Sequence, residues 1–217
     1  MGNGNKVGRR AEYAAATRQA IFAAARRLFR ERGYFATKVD DIADLARVAP
    51  VTVYAVTGGK HELLRNLIEI WTAAPFIEAT LSRIQESDDP AAILSLVATA
   101  VRNMREEFGD VMQVMLVTAP HDPAVAASLA VATARYREAF VPIARRLAEL
   151  GALRDGLDLE RAVDLFWFYF GYWGLFTLHS ENGWSYDSAE HWLREAAGQA
   201  LLREPRPAQY DISLTEN

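Results

Sequence analysis

Four histidines, at positions 61, 121, 179 and 191, are the side chains best suited to metal binding or proton transfer, and their spacing serves neither. His61-Glu62 is not followed by the second histidine of a zinc helix. A glycine-rich phosphate loop, a nucleophile elbow and cysteine are all missing from the sequence. We therefore expect no enzyme and no cofactor. The chemistry that the spacing does support lies between Thr37 and Tyr54. Val39, Ile42, Leu45 and Ala46 fall on one face of a short helix, and Arg47-Val48-Ala49 is only long enough for a tight turn. Pro50 suits the first turn of a second helix, where its missing N–H costs nothing. Two short helices joined this way make a helix-turn-helix, whose second helix enters the DNA major groove.

The rest of the chain must position that stretch. Its 217 residues, 51% of them hydrophobic, suffice for one large domain or two small ones with a real core. The lack of cysteine fits a reducing compartment, and the first ten residues lack the apolar core of a leader. The longest apolar run, Leu165 to Leu178, is too short to span a bilayer. The expectation is a soluble, cytoplasmic protein with no membrane partner. Net charge is −4, yet residues 1–65 hold twelve Lys and Arg against six Asp and Glu, while residues 66–217 hold twelve against twenty-two. A basic head on an acidic body fits a DNA-binding domain joined to a separate module.

The spacing predicts an all-α chain. A flexible arm over 1–10 precedes a helix-turn-helix domain over 11–59, a helical domain over 60–203 and a loose tail over 204–217. The first helix runs from about Ala11 to Arg32, with Ile21, Ala25, Leu28 and Phe29 inward and Gly33 as its stop. Further helices are expected near 39–46, 50–56, 60–74, 76–85, 91–108, 110–118, 123–150, 158–180 and 188–203. In this reading Gly109 ends a helix and Pro142 kinks one.

One set of residues resembles a family. Arg18, Ile21, Ala24, Ala25, Leu28, Phe29, Glu31, Gly33, Tyr34, Thr37, Val39, Ile42 and Ala43 follow the N-terminal pattern of the TetR family of transcriptional regulators. Ala46, Val48, Thr52, Val53, Tyr54, Lys60 and Leu63 continue it, so the resemblance covers about residues 10–64. Departures from the pattern are Ala49 for a small polar residue, Val51 for glycine, Val56 and Thr57 for aromatics, and Gly59 for serine. The resemblance implies a helix-turn-helix domain followed by a larger helical ligand-binding and dimerisation domain, working as a homodimer on a double-stranded DNA operator. It also implies phosphate contacts from Thr37 or Lys38, from Tyr54 and from Lys60. Helix-start N–H groups suit an anion, and Lys60 sits against its own helix dipole.

The second helix carries Ala49, Pro50, Val51, Thr52 and Val53, none of which pairs bidentately with a base. Readout is then left to Thr52, to methyl contacts from Ala49, Pro50 and Val51, to DNA shape, and to an arm bearing Arg9 and Arg10.

The run Leu165 to Phe176 puts aromatics on every side of one helix, more than a single core face needs. Trp167, Phe168, Phe170, Tyr172, Trp173 and Phe176, with Phe140, therefore join Met104, Phe108, Met112 and Met115 as candidate lining for a small apolar or aromatic effector. His121 heads the polar candidates, with Arg102, Arg105, Asp164, Tyr169 and His179 behind it. The last helix, with Trp192, Ala196, Ala197 and Leu201, pairs with 158–180 as the expected two-fold interface. This reading is a ligand-relieved repressor on a palindromic operator. A helical small-molecule carrier and an effector-less DNA-binding dimer are the alternatives.

Overall fold

The computed structural model describes residues 4–203, with side chains described from Ala11 onward. Its helices are α1 (Gly4–Arg32), α2 (Val39–Ala46), α3 (Pro50–Thr57), α4 (Lys60–Thr72), α5 (Pro75–Glu86) and α6 (Pro90–Thr118). A 3₁₀ turn over Ala119–His121 leads into α7 (Pro123–Glu138), α8 (Val141–Glu149), α9 (Leu159–Phe170) and α10 (Tyr172–Phe176). A π turn over Thr177–Glu181 then precedes α11 (Tyr186–Leu201). Among the described residues the sole β pairing is an isolated bridge between Leu153 and Leu202. The fold is all-α, with an N-terminal helix-turn-helix.

Two compact units form. One holds the chain up to Ala79 together with Ala100–Glu138; the other holds Thr80–Thr99 and everything from Ala139 onward. In the first unit the inner stripe of α1 is buried as its spacing requires, with Ile21 and Ala25 fully enclosed. α1 is tied to α6 by Arg26, whose guanidinium donates to both carboxylate oxygens of Asp110 at 2.8 Å. That fork raises the Arg26 pKa above its ordinary value, the hydrogen bond outweighing partial burial. α4 packs on α7 through Trp71, whose ring meets Tyr136 edge-on at 6.5 Å.

The second unit is centred on Phe166, stacked on Phe140 at 5.5 Å and tilted against Phe170 at 6.2 Å. Arg146 closes a loop here by bonding the Ser87 carbonyl and the Asp88 carboxylate.

Four expected boundaries are corrected. α6 runs unbroken through Gly109, which is buried; a mid-helix glycine costs about 1 kcal/mol, less than Phe108, Val111, Met112 and Met115 return by burial on that helix. The segment expected as one kinked helix over 123–150 is two, with Pro142 in the first turn of α8. The segment expected over 158–180 breaks at Gly171, where ψ is −165° and a Cβ would collide with the Trp167 carbonyl. A Cβ is excluded at both Gly171 and Gly174. Their space is taken by the chain's own carbonyls, although Gly174 also lets Leu193 of α11 approach. α1 begins at Gly4 rather than near Ala11.

Candidate nucleic-acid interface

Local signals build the helix-turn-helix. Asp40 and Asp41 occupy the first turn of α2, and the Lys38 N–H donates to the Asp41 carboxylate at 3.1 Å. α2 ends on Arg47 in the left-handed region, which lets the Val48 N–H reach back to the Ala43 carbonyl at 3.0 Å. Pro50 starts α3, and Gly58, with φ of 79°, ends it by donating to the Tyr54 carbonyl. Thr57 stands where the resembled pattern has an aromatic ring. It is buried, donates its hydroxyl to Val53 O at 2.8 Å and accepts from the Gly59 N–H at 3.3 Å. A polar clip thus holds the α3–α4 corner in place of ring packing.

Outward, α3 presents Pro50, Val51, Tyr54 and Ala55, with Thr52 half-buried and Val53 fully buried. Val51 is 72% exposed and Tyr54 55%. Such apolar exposure on a short helix suits contact with thymine methyls and sugar–phosphate walls.

The two expected anchors at the start of α2 separate. Thr37 is buried, and its hydroxyl is committed to the Gly33 carbonyl at 2.8 Å, so it clamps the α1–α2 corner. Lys38, next to it, is exposed. Lys60 proves to have an internal partner that its position on the helix dipole did not suggest. Its ammonium donates to the Tyr34 carbonyl at 2.9 Å and lies 4.3 Å from the centre of the Tyr34 ring. Burial lowers its pKa from the ordinary value, partly offset by Asp122. Burial likewise raises the Tyr34 phenol, with Asp122 adding to the effect. The side chains of Arg9 and Arg10 lie outside the described residues.

Residues 21–67 match the family model described as bacterial regulatory proteins, tetR family. The matched segment runs from α1 into α4 and takes in the whole helix-turn-helix. No curated protein matches it by sequence. Several solved structures share the fold of this chain. A SmeT–triclosan complex is 20% identical at a TM-score of 0.72, covering 88% of this chain and 99% of that one. NalD, the secondary repressor of the MexAB-OprM multidrug efflux pump in Pseudomonas aeruginosa, is 23% identical at 0.69, covering 89% and 100%. GusR of Salmonella enterica is 21% identical at 0.66, covering 85% and 95%.

The candidate effector residues fall into three sets. Met104, Phe108, Met112 and Met115 are buried in the first unit, where the Arg105 guanidinium is buried too, 2.9 Å from the Met112 sulfur and 5.7 Å from the Tyr136 ring centre. Burial raises the Tyr136 phenol, and Arg105 works against that shift. Phe140, Phe170, Tyr172 and Phe176 are buried in the second unit, and half-buried Trp167 meets Tyr172 edge-on at 5.3 Å. Three candidates are on the surface. His121 is exposed beside Phe35, 6.4 Å between ring centres, and Phe168 and Trp173 are 71% and 61% exposed. Phe168 projects outward because, at 3.6 residues per turn, it sits roughly 200° around α9 from the buried Phe166 and Phe170. A groove of about 340 Å³ also opens between α4 and α7, edged by Arg65 and Arg135, and none of the expected effector residues lines it.

Proposed function

We propose that this chain is a transcriptional regulator of the TetR family, a homodimeric repressor of a palindromic operator released by a small apolar or aromatic effector. The observation that carries the DNA half is the exposed face of α3, Val51 and Tyr54 outermost, flanked by Lys38 before it and Lys60 after it. A helix-turn-helix reads one half-site, and two-fold pairing supplies the second. The exposed rings Phe168 and Trp173, with Trp184 and Trp192 of the same unit, are the surface that pairing would cover.

Affinity in this reading is mostly electrostatic. Lys60→Ala is expected to weaken binding to operator and unrelated DNA alike and to flatten the salt dependence by about 0.9 in log–log slope, the value of one phosphate. Fluorescence anisotropy over a salt series checks this. Unchanged affinity and slope would remove Lys60 from the interface and leave it as the brace on Tyr34.

The effector class is supported by the number of aromatic and methionine side chains gathered in both units and by triclosan, an aromatic compound, in the SmeT complex. α4 is the element that joins the two functions, since it carries Lys60 in its first turn and Trp71 in its last. A ligand relieves repression only if it prefers the DNA-incompetent arrangement, which makes the coupling reciprocal. Thermal shifts across a panel of apolar aromatic compounds identify binders. Operator affinity measured with and without a binder then tests the coupling, and equal affinities would reject it. Operator selection from random DNA separates this reading from a helical small-molecule carrier.

A further inference from the structure

The exposed face of α3 lacks any side chain that pairs bidentately with a base. Between Lys38 and Lys60 the sequence has one arginine, Arg47, in the turn immediately ahead of α3. Two observations set it apart. Its backbone is left-handed, φ 57° and ψ 44°, and among the described residues it is the one non-glycine with positive φ. Glycine or asparagine closes helices in that conformation without strain, as Gly33 and Gly58 do after α1 and α3. Helix-ending geometry therefore gives no reason for arginine here.

The second observation is charge. Arg26 is bound to Asp110, Arg27 to Glu31, Arg32 to Asp41, and Arg65 to Glu62 and Glu69, while Lys60 holds the Tyr34 carbonyl. The Arg47 side chain is exposed and, like those of Arg30 and Lys38, makes no hydrogen bond or ion pair to any described residue; of these three, Arg47 alone has the left-handed backbone. A strained backbone at an outward cation is the pattern of a group held for a partner.

We propose that Arg47 contacts DNA directly, its guanidinium placed by the left-handed turn against the groove that α3 enters. Base edges are met by the N-terminal residues of a recognition helix, and the turn leading into those residues lies beside them. The contact supplies the charge-assisted donor that α3 itself lacks. This inference rests on the reading that α2 and α3 dock on DNA.

The test compares the full-length wild type with Arg47→Gly and Arg47→Lys, using anisotropy on selected operator and on unrelated DNA over a salt series, with thermal unfolding alongside. Arg47→Gly is expected to melt at or above the wild-type midpoint, because glycine relieves the left-handed strain, and yet to bind operator about tenfold more weakly, the worth of one charge-assisted contact. Recovery in Arg47→Lys with equal losses on all DNA marks a phosphate contact. Failure to recover, with one base-pair preference lost, marks a guanine edge, which only the guanidinium fork matches. Either result supports the proposal. Wild-type affinity and salt slope in Arg47→Gly overturn it. So does a lowered melting point with full affinity below it, which would make Arg47 a cation on the α2 dipole. If the wild type binds no DNA, the underlying DNA-binding reading falls too, so the two failures are distinguishable.

Discussion

Replacing Phe168 and Trp173 together by glutamate is expected to abolish the proposed dimerisation and to lower operator affinity by two to three orders of magnitude. Both rings are more than half exposed. If pairing covers about 100 Å² of apolar surface on each, that is worth about 2.5 kcal/mol per ring, and symmetry doubles it. A carboxylate in the same place adds a desolvation cost rather than merely removing that gain. A monomer keeps one half-site and loses the effective concentration, on the order of millimolar, that joins the two binding events. Because neither ring is part of the core, melting extrapolated to low protein concentration should be little changed. Sedimentation velocity and anisotropy give the two readouts. A double variant that stays dimeric with intact affinity would show that these rings serve another purpose.

The helix-turn-helix was legible because its punctuation is local. The starts at Val39, Pro50 and Lys60 follow from acids in a first turn, a proline at the first helical position and a glycine pair, each acting within a few residues. Glycines elsewhere were not. Gly109 and Gly171 are the same residue with opposite outcomes: the first lies inside α6 and the second breaks α9 from α10. Sequence spacing predicts the reverse for both. What separates them is packing, since α6 buries its side chains on both sides of Gly109, whereas the Trp167 carbonyl occupies the space a Cβ would need at Gly171. Glycine permits a break and does not impose one.

The site was legible in residue type and less so in direction. Thr37 and Lys38 are adjacent, and only the fold decides that the threonine turns inward to the Gly33 carbonyl while the lysine stays in solvent. Lys60 looked unsupported because its partner, Tyr34, lies 26 residues away. The aromatic run was read as covering every face of its helix. The structure divides it into Phe166 and Phe170 in the core and Phe168 outside, a division set by which side meets Phe140. Arg47 left one trace in the sequence, a long cationic side chain in a tight turn, but its left-handed backbone emerges only from the fold.

Trp71→Ala is expected to have the largest effect on stability and to reach the DNA-binding function through it. Trp71 is 1% exposed, the largest fully enclosed side chain among the described residues, and it seats the last turn of α4 on α7 by its contact with Tyr136. Truncating a buried tryptophan costs roughly 3–5 kcal/mol, partly as a cavity its neighbours cannot fill. For a chain of this length that lowers the melting temperature by roughly 10 °C. Trp71→Phe keeps an edge-on ring against Tyr136 and should cost about 1–2 kcal/mol, since only part of the volume is lost. Function separates the variants further. α4 carries Lys60 at its other end, so loosening its seat on α7 lets the helix sample positions that no longer hold Lys60 on the Tyr34 carbonyl. Measured well below its melting point, Trp71→Ala should bind operator more weakly than the phenylalanine variant and respond less to a confirmed effector, because the element that carries the response is no longer held in one of two positions. A folded Trp71→Ala protein with wild-type effector response would place the coupling somewhere other than the α4–α7 contact.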